Sequence, residues 1–267
     1  MKAYITYFKL KFITGLQYRS AALAGISTQF FFGFVYIMVY VAFYESGSGN
    51  VPMSLSNLIT YVWLNQAFFA LINQFYKDPE LFNLIRSGNI SYELSRPKNL
   101  YCMWYFKLLG QRLANVTMRF FPLLIITCLL PEPYNFSMPG NIVIFLVFLI
   151  SMIVGTLLVT AMTVLYPIVM LTTMNEKGIV NIIVVVADLL SGVGIPIVFF
   201  PNLLRTISSF LPFQYISDLP FRIYVGNINI INGLYGIIIQ FIWLILIILL
   251  GIVLMNKNIK RVSVQGG

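Results

Sequence analysis

Histidine is absent from the 267-residue chain, cysteine occurs only as Cys102 and Cys128, and Asp and Glu together number eight. Without histidine, soft-metal sites and imidazole acid–base chemistry lose their usual group. Two cysteines in apolar surroundings do not make a disulfide scaffold and read as small packing residues. The acids are scattered and no pair has an obvious shared site, so no catalytic constellation emerges. No Gly-rich loop is followed by a lysine, which excludes a P-loop for binding and hydrolysing ATP. Charged residues make up 9% of the chain, against roughly a quarter in soluble proteins. An ordinary soluble domain is excluded.

What is present is apolar: 59% hydrophobic residues and a mean hydropathy of +0.88. These residues come in runs of about 20, the length that crosses roughly 30 Å of hydrocarbon as a helix. The short alternating segments of a β-barrel are missing. The expected fold is all-α, a polytopic membrane protein with spans over residues 21–44, 58–75, 101–130, 141–170, 179–200 and 232–255. Residues 1–19 are aromatic and basic, with Lys2, Thr6, Lys9 and Gln17 on one side of a helical wheel. Tyr4, Tyr7, Phe8, Phe12 and Tyr18 fall opposite, with Lys11 and Arg19 intruding. This predicts a helix in the membrane interface, or more simply a basic flank that orients the first span.

The net charge of +9 does not point to nucleic acid, because the bases cluster at span ends, where topology and anionic lipid account for them. Placing residues 2–19, 76–119, 177 and 257–261 on one side leaves only Arg205 and Arg222 on the other. The positive-inside rule then puts both termini in the cytoplasm, and the plasma membrane is the expected location.

Polar residues inside spans are the candidates for a pathway or for packing: Asn65, Gln66 and Asn73 in span two, Arg119 in span three, Asp188 in span five. Lys107 and Arg112 are expected to snorkel to the interface. Arg119 lies deeper and needs a partner, which Asp188 could be; the pair reads either as structural or as a proton site. Between Ser191 and Gly226 the density of Gly192, Gly194, Pro196, Pro201, Pro212 and Pro220 predicts broken, membrane-dipping helices, with a re-entrant segment over 201–230.

Residues 76–100 form the longest hydrophilic stretch, and its spacing predicts a short helix. Asp78 is an N-cap, Pro79 suits the first helical position and Glu80 complements the helix dipole. Leu81, Phe82, Leu84 and Ile85 give an apolar face, Arg86 follows, and Gly88 supplies the stop. A helix of about eight residues is unstable alone and must dock on the protein's own helices, on lipid or on a partner.

The six-span plan behind an N-terminal helix, the loop IRSGNISYELSRP (Ile85 to Pro97) and the order of Gly, Pro and aromatic residues from Ser191 to Gly226 together resemble the permease subunits of ABC-2 type exporters. That resemblance implies a type V ABC architecture: two permeases, identical or homologous, and two copies of a separate ABC ATPase. The ATPase would bind ATP and Mg, and this chain would bind no cofactor and no metal. The helix around Asp78, through an exposed face of Leu81, Phe82, Leu84 and Ile85, and the N-terminal helix would contact the ATPase, the broken segment would cap the exit, and spans one, two and five would line the pathway. Aromatic and amide groups with few charges suit an amphipathic or hydrophobic cargo such as a drug, an antimicrobial peptide or a lipid-like compound. An ion-coupled secondary transporter or a non-transporting immunity or scaffold protein is the alternative, and the chain itself is not expected to be an enzyme.

Overall fold

The computed structural model describes residues 2–47, 51–95, 98–173 and 178–260, which fold into helices and turns with no strand among them. In chain order these are α1 (Lys2–Gly15), α2 (Arg19–Glu45), α3 (Leu55–Ile72), α4 (Pro79–Arg86), α5 (Ile90–Leu94), α6 (Leu100–Cys128), α7 (Ile142–Thr173), α8 (Ile179–Leu189), α9 (Asn202–Ser209), α10 (Asp218–Tyr224) and α11 (Ile230–Ile259). Four of them, α2, α3, α7 and α11, are long and apolar enough to cross a membrane. Helix α6 has 29 residues, about 43 Å at 1.5 Å per residue, and carries Lys107, Arg112 and Arg119 among its apolar positions.

Helix α3 is the axis of the bundle. Leu58 to Ala67 are all buried, with Trp63 fully enclosed. Gly33 lets α2 approach so closely that a Cβ there would lie 2.5 Å from the Trp63 ring. Phe30 and Phe34 pack on the same indole at centroid distances of 5.7 and 5.4 Å. The indole N–H donates to the Tyr134 carbonyl at 2.8 Å, so the polar edge of the ring is satisfied as burial requires. Behind α3, α7 and α11 pack along each other, and Gln240 of α11 donates to the Ser151 carbonyl at 3.1 Å and accepts from its hydroxyl at 3.0 Å.

The two ends of the bundle differ in chemistry. One, the basic end, gathers α1, α4, the start of α6 and the close of α7 and α11, where Asn258 donates to the Ile168 carbonyl at 2.9 Å. At the other, the connections after α2 and α6 meet the long stretch between α8 and α11. Asn227 donates to Pro52 at 3.2 Å, Tyr224 to Ser137 at 3.3 Å, and Tyr44 to Met53 at 2.6 Å.

One expectation changes here. Span five was predicted to run to Phe200, but α8 stops at Leu189 after 11 residues, about 16 Å by helical rise, and the chain turns at Gly192 with φ of +81°. Helix α1 lies lengthwise on α6. Tyr4 stacks on Phe106 with centroids 6.0 Å apart. Cβ atoms at Gly110 and Gly15 would lie 2.7 Å from the Phe8 carbonyl and 2.6 Å from the Ala114 Cβ, respectively. These glycines are what allow the two helices to meet.

Candidate functional site

At the basic end, α4 forms as its sequence dictates. The Asp78 carboxylate accepts from the Leu81 amide at 3.0 Å, Pro79 occupies the first turn, and the chain leaves through Gly88 at φ +73°. The apolar side of this helix does not face outward. Leu81, Phe82 and Ile85 are buried in one cluster with Trp104 and Leu108 of α6 and Tyr166 and Met170 of α7, and Leu84 packs partly against it. The exposed side carries Pro79, Glu80, Asn83 and Arg86.

An ion chain ties this helix to two others. Lys107 of α6 is 1% exposed, 3.1 Å from the Asp78 carboxylate and 2.8 Å from Glu80, and Lys11 of α1 reaches Glu80 at 2.7 Å. Partial burial pushes the Glu80 carboxyl upward, but hydrogen bonds and charge from Lys107 and Lys11 outweigh it and hold it below its ordinary range. Beneath lies Arg112, also 1% exposed. Its guanidinium donates to the Leu71 carbonyl and to the Thr163 hydroxyl, each at 2.6 Å, and stands 5.4 Å from the Tyr76 ring. Burial beside two carboxylates drives the Tyr76 phenol upward.

At the opposite end, Asp218 holds the broken segment together. Fully buried at the start of α10, it accepts from the Ile197 amide and the Tyr61 hydroxyl, both at 3.0 Å, and from Arg222 at 3.4 Å. The Tyr61 hydroxyl is also 2.9 Å from the Gly192 carbonyl. Asn65 donates to the Val193 carbonyl at 2.7 Å, Gln74 to Ala187 at 3.1 Å, and Ser217 to Ser191 at 2.8 Å. Side chains of α3 and α10, and of Gln74 and Ser217 just beyond them, thus supply bonds that helical backbone would have made had α8 continued.

The family model described as ABC-2 family transporter protein matches residues 30–266. The chain belongs to this family. It is therefore a membrane-embedded permease subunit of an ABC transporter, and membership implies an ABC ATPase as partner. No curated protein matches the permease.

Within the permease, the residues singled out from sequence separate into three places. Asp78 to Gly88 lie at the basic end, with Leu81, Phe82 and Ile85 turned inward, against the expectation that these residues were exposed to a motor. Asn65 and Gln66 lie in the bundle, and Asn73 closes α3, its side-chain oxygen accepting from the Phe75 amide at 2.8 Å. Gly192, Gly194 and Pro196 form the turn after α8, while Pro201 and Pro212 precede α9 and a 3-10 turn, and Pro220 lies in the first turn of α10. Arg96 and Pro97 of the loop motif, and Lys177 and Arg261 of the charge pattern, lie outside the described residues.

One expectation about charge fails in the permease, and one pairing left open by the sequence is absent. Arg119 and Asp188 form no ion pair among the described residues; the guanidinium instead lies over Gly25 of α2, where a Cβ would be 2.5 Å from its central carbon. Lys107 and Arg112 do not snorkel, because Asp78 and Glu80 in one case and a carbonyl and a hydroxyl in the other neutralise or solvate them inside the protein. Lys11, Tyr61 and Asp218 were missed as site residues. The signal for Asp218 was its place four residues before Arg222 in a segment otherwise poor in acids.

Proposed function

We propose that the permease is the membrane half of an ATP-driven exporter in the plasma membrane. It has both termini in the cytoplasm, is driven by two copies of an ABC ATPase, and is paired with a second permease, identical or homologous. The basic end is then cytoplasmic, as the distribution of Lys and Arg demands. The ATP and Mg belong to the partner, and this chain contributes no catalytic group. The cargo is an amphipathic or hydrophobic compound moved outward.

The observation that carries this reading is the braced α4. A helix of 8 residues, too short to stand alone, is fastened by an apolar face on α6 and α7 and by ion pairs to α6 and α1. Its other side is left polar and exposed. A fastened peg of this kind transmits a push from a soluble motor into two long helices, whereas a loose loop would absorb it. Contact with the ATPase is assigned to Pro79, Glu80, Asn83 and Arg86, not to the buried Leu81, Phe82 and Ile85.

The test is to purify the permease, carrying Asn83→Arg and Arg86→Glu, together with its partner ABC ATPase. Loss of ATPase association and of outward transport in inverted vesicles, with an unchanged unfolding temperature, is the expected result. Full association and transport in the double variant would remove α4 as the coupling element. Cargo movement driven by a proton gradient without ATP would remove the exporter reading itself.

A further inference from the structure

Part-way along α2 and α3, the two helices enclose a mostly apolar cleft with two amide side chains in its wall, which neither the fold nor the braced end explains. It has a volume of about 260 Å³ and is lined by Thr28, Gln29, Phe32 and Tyr36 of α2 and by Gln66 and Phe69 of α3. Gln29 and Gln66 lie about 15 Å along their helices, near the middle of a hydrocarbon core of about 30 Å. Gln29 is 4% exposed, and both its amide nitrogen and its amide oxygen lack a hydrogen-bond partner among the described residues. The Asn65 oxygen close by is also unpartnered. An unmatched amide in apolar surroundings is strongly disfavoured, and here a donor and an acceptor of the same side chain are both left open.

Beside this amide-bearing cleft lies a second one without amide side chains. A second cavity of about 500 Å³ shares Tyr36 and runs past Val39 and Phe43 of α2 to Ile195 and Phe199 of the broken segment. No charged side chain lines either cavity. Arg119 lies over Gly25, one helical turn from Gln29, and forms no ion pair among the described residues. An ammonium group would meet no counter-ion there and would lie a helical turn from a like charge, and a carboxylate would have to shed its hydration in a cleft whose lining Arg119 does not join.

We propose that this paired cleft is a cargo subsite for an uncharged hydrogen-bonding head, an amide or a hydroxyl, carried on an apolar chain. Gln29 and Gln66 read the head by donating and accepting at once. The trough from Tyr36 to Phe199 takes the chain. Calling the ligand cargo rests on the exporter reading; the binding does not. A flat partner surface would cover Gln29 without reaching it, because the side chain is recessed within this chain.

The experiment uses the full permease in lipid nanodiscs, with radiolabelled N-decylacetamide, decylammonium and decanoate as probes and empty nanodiscs subtracted. The amide is expected to bind saturably and the two ions at least tenfold more weakly. Gln29→Leu and Gln66→Leu should each weaken the amide about tenfold, the loss of one net hydrogen bond, while the unfolding temperature holds or rises. Equal binding of the three probes, unchanged amide affinity in both variants, or affinity lost only together with thermal stability overturns the subsite. ATP-driven efflux by the whole complex is scored separately. A selective cleft in a complex that exports nothing overturns the exporter reading alone, and an exporting complex with an unselective cleft overturns the subsite alone.

Discussion

Replacing Lys107 by methionine is the sharpest probe of the braced helix. Methionine keeps the length of the apolar stem and removes the ammonium that lies 3.1 Å from Asp78 and 2.8 Å from Glu80. Asp78 is 2% exposed, so its carboxylate is left buried with the Leu81 amide as its remaining partner. Breaking a buried pair from one side costs about 3–5 kcal/mol. If the loss falls on the docking of α4, its backbone amides should open and exchange with deuterated solvent about 100- to 5,000-fold faster. Asp78→Asn should be milder, since asparagine is itself a good N-cap and Lys107 keeps Glu80. Combining the two substitutions should recover most of the loss, because a neutral pair leaves no stranded charge. Hydrogen exchange read by mass spectrometry on peptides covering residues 76–90 decides the matter. Exchange in Lys107→Met within threefold of the unmodified chain would refute the reasoning, as would a double variant as labile as the sum of the singles.

Four further outcomes follow from the same structure. Gly192→Ala places a Cβ 2.8 Å from the Asp218 Cβ at φ +81°, and should destabilise the broken segment by at least about 1–2 kcal/mol. Gly194→Ala meets nothing within 4 Å and should melt within a degree or two of the unmodified chain. Tyr61→Phe strips the hydroxyl shared between Gly192 and Asp218, and should cost about 1–3 kcal/mol for buried acceptors left unmatched, read as faster exchange over residues 190–198. The link between α1 and α4 should weaken in acid. Glu80 titrates below its ordinary 4.5, so its contribution is complete above that pH and vanishes as pH falls through the lowered value. A fluorophore pair on α1 and α4 should report separation only below about pH 4.5 in chains with Glu80 and no such transition in Glu80→Gln.

Local signals were legible in the sequence and long-range pairings were not. The cap at Asp78, the proline after it and the glycine stop at Gly88 predicted α4 within a residue, because each acts on backbone a turn away. The break after α8 was legible for the same reason, although its place, at Leu189 instead of Phe200, was not: what ends the helix is Tyr61, Asn65 and Asp218 bonding its continuation, and these are 21 to 157 residues distant in sequence from their partners. Lys107 read as an interfacial lysine because nothing local shows that Asp78 lies against it, 29 residues away. The inward turn of Leu81, Phe82 and Ile85 was one of three options left open by periodicity alone, since an apolar face states that something covers it and not what.

The arginine beneath the braced helix has a bearing on the bilayer itself. A helix leaves its last carbonyls unmatched, and in α3 one of them, at Leu71, is taken by Arg112 of α6. The depth at which α3 stops is therefore set by a side chain of a neighbouring helix and not by where water begins. In a thicker or thinner membrane, α2 and α11, which expose long apolar flanks, can answer by tilting. Helix α3 cannot slide without stranding a buried guanidinium. Lipid thickness is then felt as a change of angle between the outer helices and a fixed central one, and so reaches the walls of the cleft between α2 and α3 before it reaches the basic end.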